Sequence, residues 1–167
     1  TVTTVGFNPT PYLAGFRSRE QYQDEYITHR WNQARAFIEE NLASDDRVLF
    51  LWEPRSYGYT VPHEPDPLFD NFSQRVAVYG SASLIGEGIR AEGFTHVLVN
   101  HYIYPWIAAD YPMTLQELAA WEDFRAICLV ENNVIYTDDE YLTVYQIALH
   151  ETDSSGQDQS QQTRTQG

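Results

Sequence analysis

Two short apolar runs limit the folds open to this chain more than anything else in it: "RVLFLW" at 47–52 and "FTHVLVN" at 94–100. Both are too short for a core helix, and their unbroken Val, Leu and Phe content is that of strands buried on both faces. Helical patterns surround them. Ser18 and Gln21 have capping-box spacing, so a helix is expected from Arg19 to about residue 42, with a break near 27–28. Ser81 is placed to cap a second helix running to Glu92, with Gly93 as its stop. Thr114 and Glu117 form a clearer capping box for a third, reaching about Leu129. "VIYT" and "YLTVYQIAL" then follow as a hairpin joined through Asp138, Asp139 and Glu140. This order predicts a layered α/β domain with a small mixed sheet: parallel central strands flanked by helices, and a C-terminal antiparallel hairpin. We expect an extended lead-in over 1–14, one domain over 15–150 and a disordered polar tail over 151–167.

Two unusual loops leave the carboxyl ends of the two apolar strands, where open α/β sheets bind their ligands. "YGYTV" is expected as a second strand or an irregular edge. "PHEPDPLFD" holds three prolines within six residues and is expected to have no regular structure. Residues 75–80 are ambiguous, and 100–113 reads as a long aromatic loop. The candidate ligand-binding residues on this shared rim are Glu53, Arg55, Tyr57, Tyr59, His63, Asp66, Asn100, His101 and Tyr102.

Several chemistries are excluded by composition. The chain has 24 acids against 10 bases, a formal charge of −14, and every base is arginine. Without a basic stripe, nucleic acid is not an expected partner. Without lysine there is no Schiff base and no P-loop lysine. The single Cys128 cannot form an internal disulfide and sits on the inner face of the third expected helix, as a small hydrophobe does. No run approaches the roughly 20 apolar residues of a membrane helix.

Four constellations carry competing readings. His63, Asp66, His101 and Asp110 have the right ligand types for a metal but no recognised spacing, so no metal and no cofactor is assigned. Glu53 beside Asp66, Asp70 or His101 would suit a hydrolase, but Glu53 with Arg55 equally suits a structural ion pair at a strand end, which is the reading preferred. "GSASLIGEG" faintly resembles a phosphate cradle for a nucleotide, although Ser81 already has a use as a cap. Tyr57, Tyr59, Tyr102, Tyr104 and Trp106 are rings that either cover the sheet end or stack on sugars.

Gly15, Ser18, Arg19, Glu20 and Tyr22 fit a G-x-x-S-R-E-x-Y stretch, and "IEENL" follows it as a helix end. Arg47, Val48, Leu49, Leu51, Glu53, Arg55 and Tyr57 fit an R-V-L-x-L-x-E-x-R-x-Y pattern, departing at Gly58, where a second tyrosine is common. Gly93, Thr95, His96, Val97, Leu98, Val99 and Asn100 complete a G-x-T-H-V-L-V-N strand. Together with "DPLFD", residues 12–100 resemble the soluble C-terminal part of bacterial membrane glycosyltransferases that use polyprenyl-phosphate sugars, relatives of the protein O-mannosyltransferases and the lipid A aminoarabinose transferase. The resemblance implies a non-catalytic accessory domain on the extracytoplasmic face of the bacterial membrane. Its partner would be the membrane-embedded part of the same polypeptide, and its rim would meet glycan acceptor or lipid-linked sugar. The family's catalytic acids lie in the membrane core, so none is carried onto this chain. The first residue, Thr1, and a sole methionine at Met113 lead us to expect a processed or excised segment.

Overall fold

The computed structural model describes residues 13–16, 18, 29–110, 112–138 and 141–147. The expected helix start at Arg19, most of the lead-in and the polar tail lie outside them. Within them the chain is α/β, with five helices and one open, mixed five-stranded sheet. The strands are β1 (Val48–Leu51), β2 (His63–Glu64), β3 (His96–Asn100), β4 (Val134–Thr137) and β5 (Leu142–Gln146). Their order across the sheet is β2-β1-β3-β5-β4. β1 runs parallel to both neighbours, Val48 facing His63 on one side and His96 on the other, while β5 runs antiparallel to β3 and β4. The expected parallel centre and antiparallel hairpin are thus both present.

Side chains alternate across a strand, and here both faces are covered. Leu49, Leu51, Val97 and Val99 point into one core with helices α2 (Asn71–Tyr79), α3 (Ala82–Ala91) and α5 (Leu115–Cys128). Val48, Phe50, Leu98, Leu142 and Val144 point into a second core with Trp31, Ala34 and Ile38 of helix α1 (His29–Asn41). Two apolar layers explain why both runs lack polar alternation: every residue of β1 and β3 is buried.

Local signals set the helix ends. The Ser81 hydroxyl accepts from the Leu84 N–H, and the Thr114–Glu117 capping box is formed reciprocally, as expected. Gly93 takes φ +89°, a conformation that glycine adopts without strain. Two expectations are corrected, and one choice left open is decided. The proline-rich stretch is not wholly irregular, because His63–Glu64 forms β2 between Pro62 and Pro65, and this short edge pairing asks no N–H of Pro62, whose carbonyl accepts from the Val48 N–H. "YGYTV" takes the irregular of its two expected forms, opening with a turn at Tyr57 and Gly58. The loop after β3 contains a helix, α4 (Tyr104–Asp110), with Pro105 in its first turn, where its missing N–H costs nothing. The ambiguous 75–80 segment is helical to Tyr79.

Close helix packing gives a direct prediction. A Cβ on Gly86 of α3 would fall 2.7 Å from the Sγ of Cys128 on α5. Alanine in a helix normally gains about 1 kcal/mol over glycine, whereas overpacking costs about 1–3 kcal/mol. Gly86→Ala is therefore expected to lower the urea midpoint. Adding Cys128→Ala is expected to restore most of the loss, and purely additive effects would show that the contact is not the cause.

Candidate functional site

The carboxyl ends of β1 and β3 are adjacent because the two strands pair in parallel register, Leu51 facing Val99. Glu53 follows β1 and Asn100 ends β3, and the two meet: the Asn100 side-chain amide donates to Glu53 Oε2 at 2.8 Å. Arg55 donates to the same carboxylate from Nε at 2.7 Å and from Nη2 at 2.6 Å, and its backbone N–H adds a third bond at 2.9 Å. The side-chain Oδ1 of Asn100 then accepts from the N–H groups of Tyr102 and Ile103. One fully buried carboxylate so clasps the two loops together. The strand-end ion pair expected from the sequence is present, and Asn100 extends it across the rim.

Asp66 organises the second half of the rim. Its Oδ2 accepts from the Trp52 N–H at 2.8 Å, and its Oδ1 accepts from the N–H groups of Asp70 and Asn71 at the start of α2. Its own N–H donates to the Glu53 carbonyl, and its carbonyl accepts from the Phe69 N–H. Burial pushes the Asp66 carboxyl above the ordinary range, against the pull of the three N–H donors. Trp52 and Phe69, the two residues flanking this loop, both adopt φ +58°. They are the only non-glycine residues with positive φ among those described, and for bulky side chains that conformation is strained.

The remaining candidates divide between two places. Tyr57, Tyr59 and His63 belong with α1. The Tyr57 and Tyr59 rings lie 4.8 and 5.8 Å from Trp31, and His63 stacks on Phe50 at 5.3 Å. Arg35 reaches the Gly58 carbonyl, and Glu39 accepts from Thr60 and Val61, which holds this loop on the helix. The Tyr59 hydroxyl is buried without a hydrogen-bond partner among the described residues, and burial with the nearby Glu53 charge raises its pKa. Tyr102 belongs to the other side, its ring 4.8 Å from Tyr141 and 6.5 Å from Trp106. Tyr102 and Trp106 are 47% and 64% exposed. His101 is half-buried, its pKa lowered first by burial and then by Arg125.

This geometry removes chemistry from the acids that seemed most promising. Glu53 and Asp66 are each 0% exposed, and both oxygens of each accept from protein donors, the arrangement of structural carboxylates. His63, Asp66, His101 and Asp110 do not gather: no three potential metal ligands come together among the described residues. The start of α3 follows α2 directly rather than a strand, so it lacks the strand-to-helix geometry of a phosphate loop.

A feature that the sequence reading missed opens beside the clasp, a half-open cavity of about 710 Å³ bounded by α2, α4 and α5. Its apolar lining includes Trp52, Leu68, Phe69, Tyr104, Ile107 and Met113, and Asp70, Asp110 and Glu117 supply its charge. Hydrogen bonds from Ser73 and Thr114 keep the Glu117 carboxyl below its usual pKa. Asp70, Tyr104, Asp110 and Glu117 of its lining each had a separate reading in the sequence, and none of those readings brought them together.

Comparison with known protein families, with curated proteins and with solved structures yields no significant match. No helix among the described residues is long and apolar enough to cross a membrane.

Proposed function

We propose that this chain is a binding module rather than a catalyst: the accessory domain of a bacterial membrane glycosyltransferase, held on the extracytoplasmic face and contacting acceptor glycan. The observation that carries the binding part is the row of rings Tyr141, Tyr102 and Trp106 beyond β3, two of them largely open to water. Exposed rings at fixed spacing present flat apolar faces that suit the C–H faces of sugars, with hydroxyl and indole N–H groups at their edges. The saturation of Glu53 and Asp66 supports recognition over hydrolysis at the same rim. The formal charge of −14 favours a neutral glycan over the phosphate of a lipid carrier. The membrane attachment rests on the sequence resemblance alone.

Titration of the chain with neutral oligosaccharides and with a short-chain polyprenyl-phosphate sugar, followed by NMR, tests the reading. Millimolar binding of an oligosaccharide is expected. Trp106→Ala removes a largely exposed ring and is expected to weaken it about fivefold, the equivalent of about 1 kcal/mol of stacking. Silence of the Tyr102 and Trp106 resonances at millimolar glycan would remove the binding role. For the attachment, the full-length polypeptide is expected to fractionate with membranes, and a purely soluble full-length protein would contradict it.

A further inference from the structure

The cavity beside the clasp is distinct from the ring row and has a chemistry of its own. At about 710 Å³ it is the size of a pocket for a small organic molecule rather than a docking face for a protein. Its floor and walls are apolar, with Trp52 buried at 2% exposure and packed edge-on against Trp121 at 4.6 Å. Three carboxylates line it, from α2's start, α4's end and α5's first turn, and none of its lining residues is basic. Two of these acids have structural work: Glu117 closes the capping box and bonds Ser73, and Asp70 Oδ2 accepts from Gln74. Asp110 lies exposed at the end of α4.

A second observation singles out the same place. Trp52 and Phe69, the two non-glycine residues with left-handed backbone among those described, both line this cavity. Strain of this kind persists only where surrounding contacts impose it, and it concentrates at ligand sites. Here Asp66 imposes it, binding Trp52 through its carboxylate and Phe69 through its carbonyl.

We propose that this cavity binds a small organic monocation with an apolar body, an ammonium on an alkyl or aryl frame. The apolar part lies against Trp52, Phe69, Ile107 and Met113, with the ammonium turned toward the carboxylates of the lining, Asp70, Asp110 and Glu117. Charge decides the class: an anion of the same shape meets three carboxylates and no cation, and a neutral molecule gains nothing from them.

Met113 is the only methionine of the chain and lines the cavity, so methyl-labelled methionine gives a single resonance at the site. We would titrate that signal with octylammonium chloride, octan-1-ol and sodium octanoate, three ligands with matched apolar bodies and different charge, all below their aggregation thresholds. Octylammonium is expected to give a saturable shift, with octanol and octanoate at least about tenfold weaker, given three carboxylates in a partly enclosed site. The paired variant Asp70→Asn, Asp110→Asn removes two of the charges while keeping the side-chain shapes. It is expected to weaken octylammonium about fivefold and to leave the octanol response unchanged. Equal responses to all three ligands, no response to any, or an unchanged octylammonium affinity in the paired variant would each overturn the proposal. Because these ligands carry no sugar and the readout lies away from Trp106, a failure here leaves the glycan reading standing.

Discussion

Glu53→Ala is expected to lower the unfolding free energy by about 3 kcal/mol, the low end of the range for breaking a buried ion pair. The low end applies because the Arg55 side chain keeps 31% of its surface in water and can be hydrated once its partner is gone. The Asn100 amide is 2% exposed and has no such recourse, so the loss of its acceptor leaves a buried donor unpaired. For a domain of this length the change corresponds to a melting temperature lower by roughly 6–12 °C. Glu53→Gln keeps the shape and an acceptor for Asn100, and is expected to lose about half as much. Amide exchange discriminates clasp from simple packing. The Tyr102 and Ile103 N–H groups, held by the side-chain Oδ1 of Asn100, should lose protection in the alanine variant by more than the global change. A melting temperature within a degree of the wild type would mean that the buried pair contributes nothing.

Asp66→Ala is expected to cost a similar amount, about 3 kcal/mol, by a different route. It strips an acceptor from three backbone N–H groups, those of Trp52, Asp70 and Asn71. An unsatisfied buried donor costs about 1–3 kcal/mol, and relief from burying the carboxylate offsets part of the sum. Beyond stability, the variant should release the strained backbone at Trp52 and so alter the cavity floor. The expected results are a lower urea midpoint and a displaced Met113 methyl resonance, the latter because Met113 and Trp52 line the same space. Glu53→Ala should move that resonance much less, as Glu53 does not line the cavity. If both variants shift it equally, the loop held by Asp66 is not what shapes the pocket.

What was legible in the sequence was local or strongly patterned. β1 and β3 announce themselves because their apolar runs are too short for a core helix and rich in the residues of strands covered on both faces. The Thr114–Glu117 box is legible because four consecutive residues contain the whole interaction. Glu53 and Arg55 are two residues apart, so their pairing could be read; Asn100, the third member, lies 47 residues away and was placed on the rim but not in the bond. Asp66 shows the limit more sharply. An acid between two prolines looks like a ligand on an exposed loop, and only the closing of 66–71 onto Trp52 turns it inward. The cavity had no sequence signature, because its wall comes from segments around 52, 67–73, 104–110 and 112–117 that meet only in the folded chain.

The shape of β2 has a consequence for association. An outermost strand offers its free N–H and C=O groups as a template on which another chain can polymerise. Here that margin is two residues long, with Pro62 before it and Pro65 after it, neither able to donate to an incoming backbone. At the opposite margin the pairing of β4 with β5 slips between Val134 and Tyr136, which interrupts the regular ladder there. Both margins of the sheet are therefore poor seeds for fibres. A partner gains little by extending the sheet at either margin.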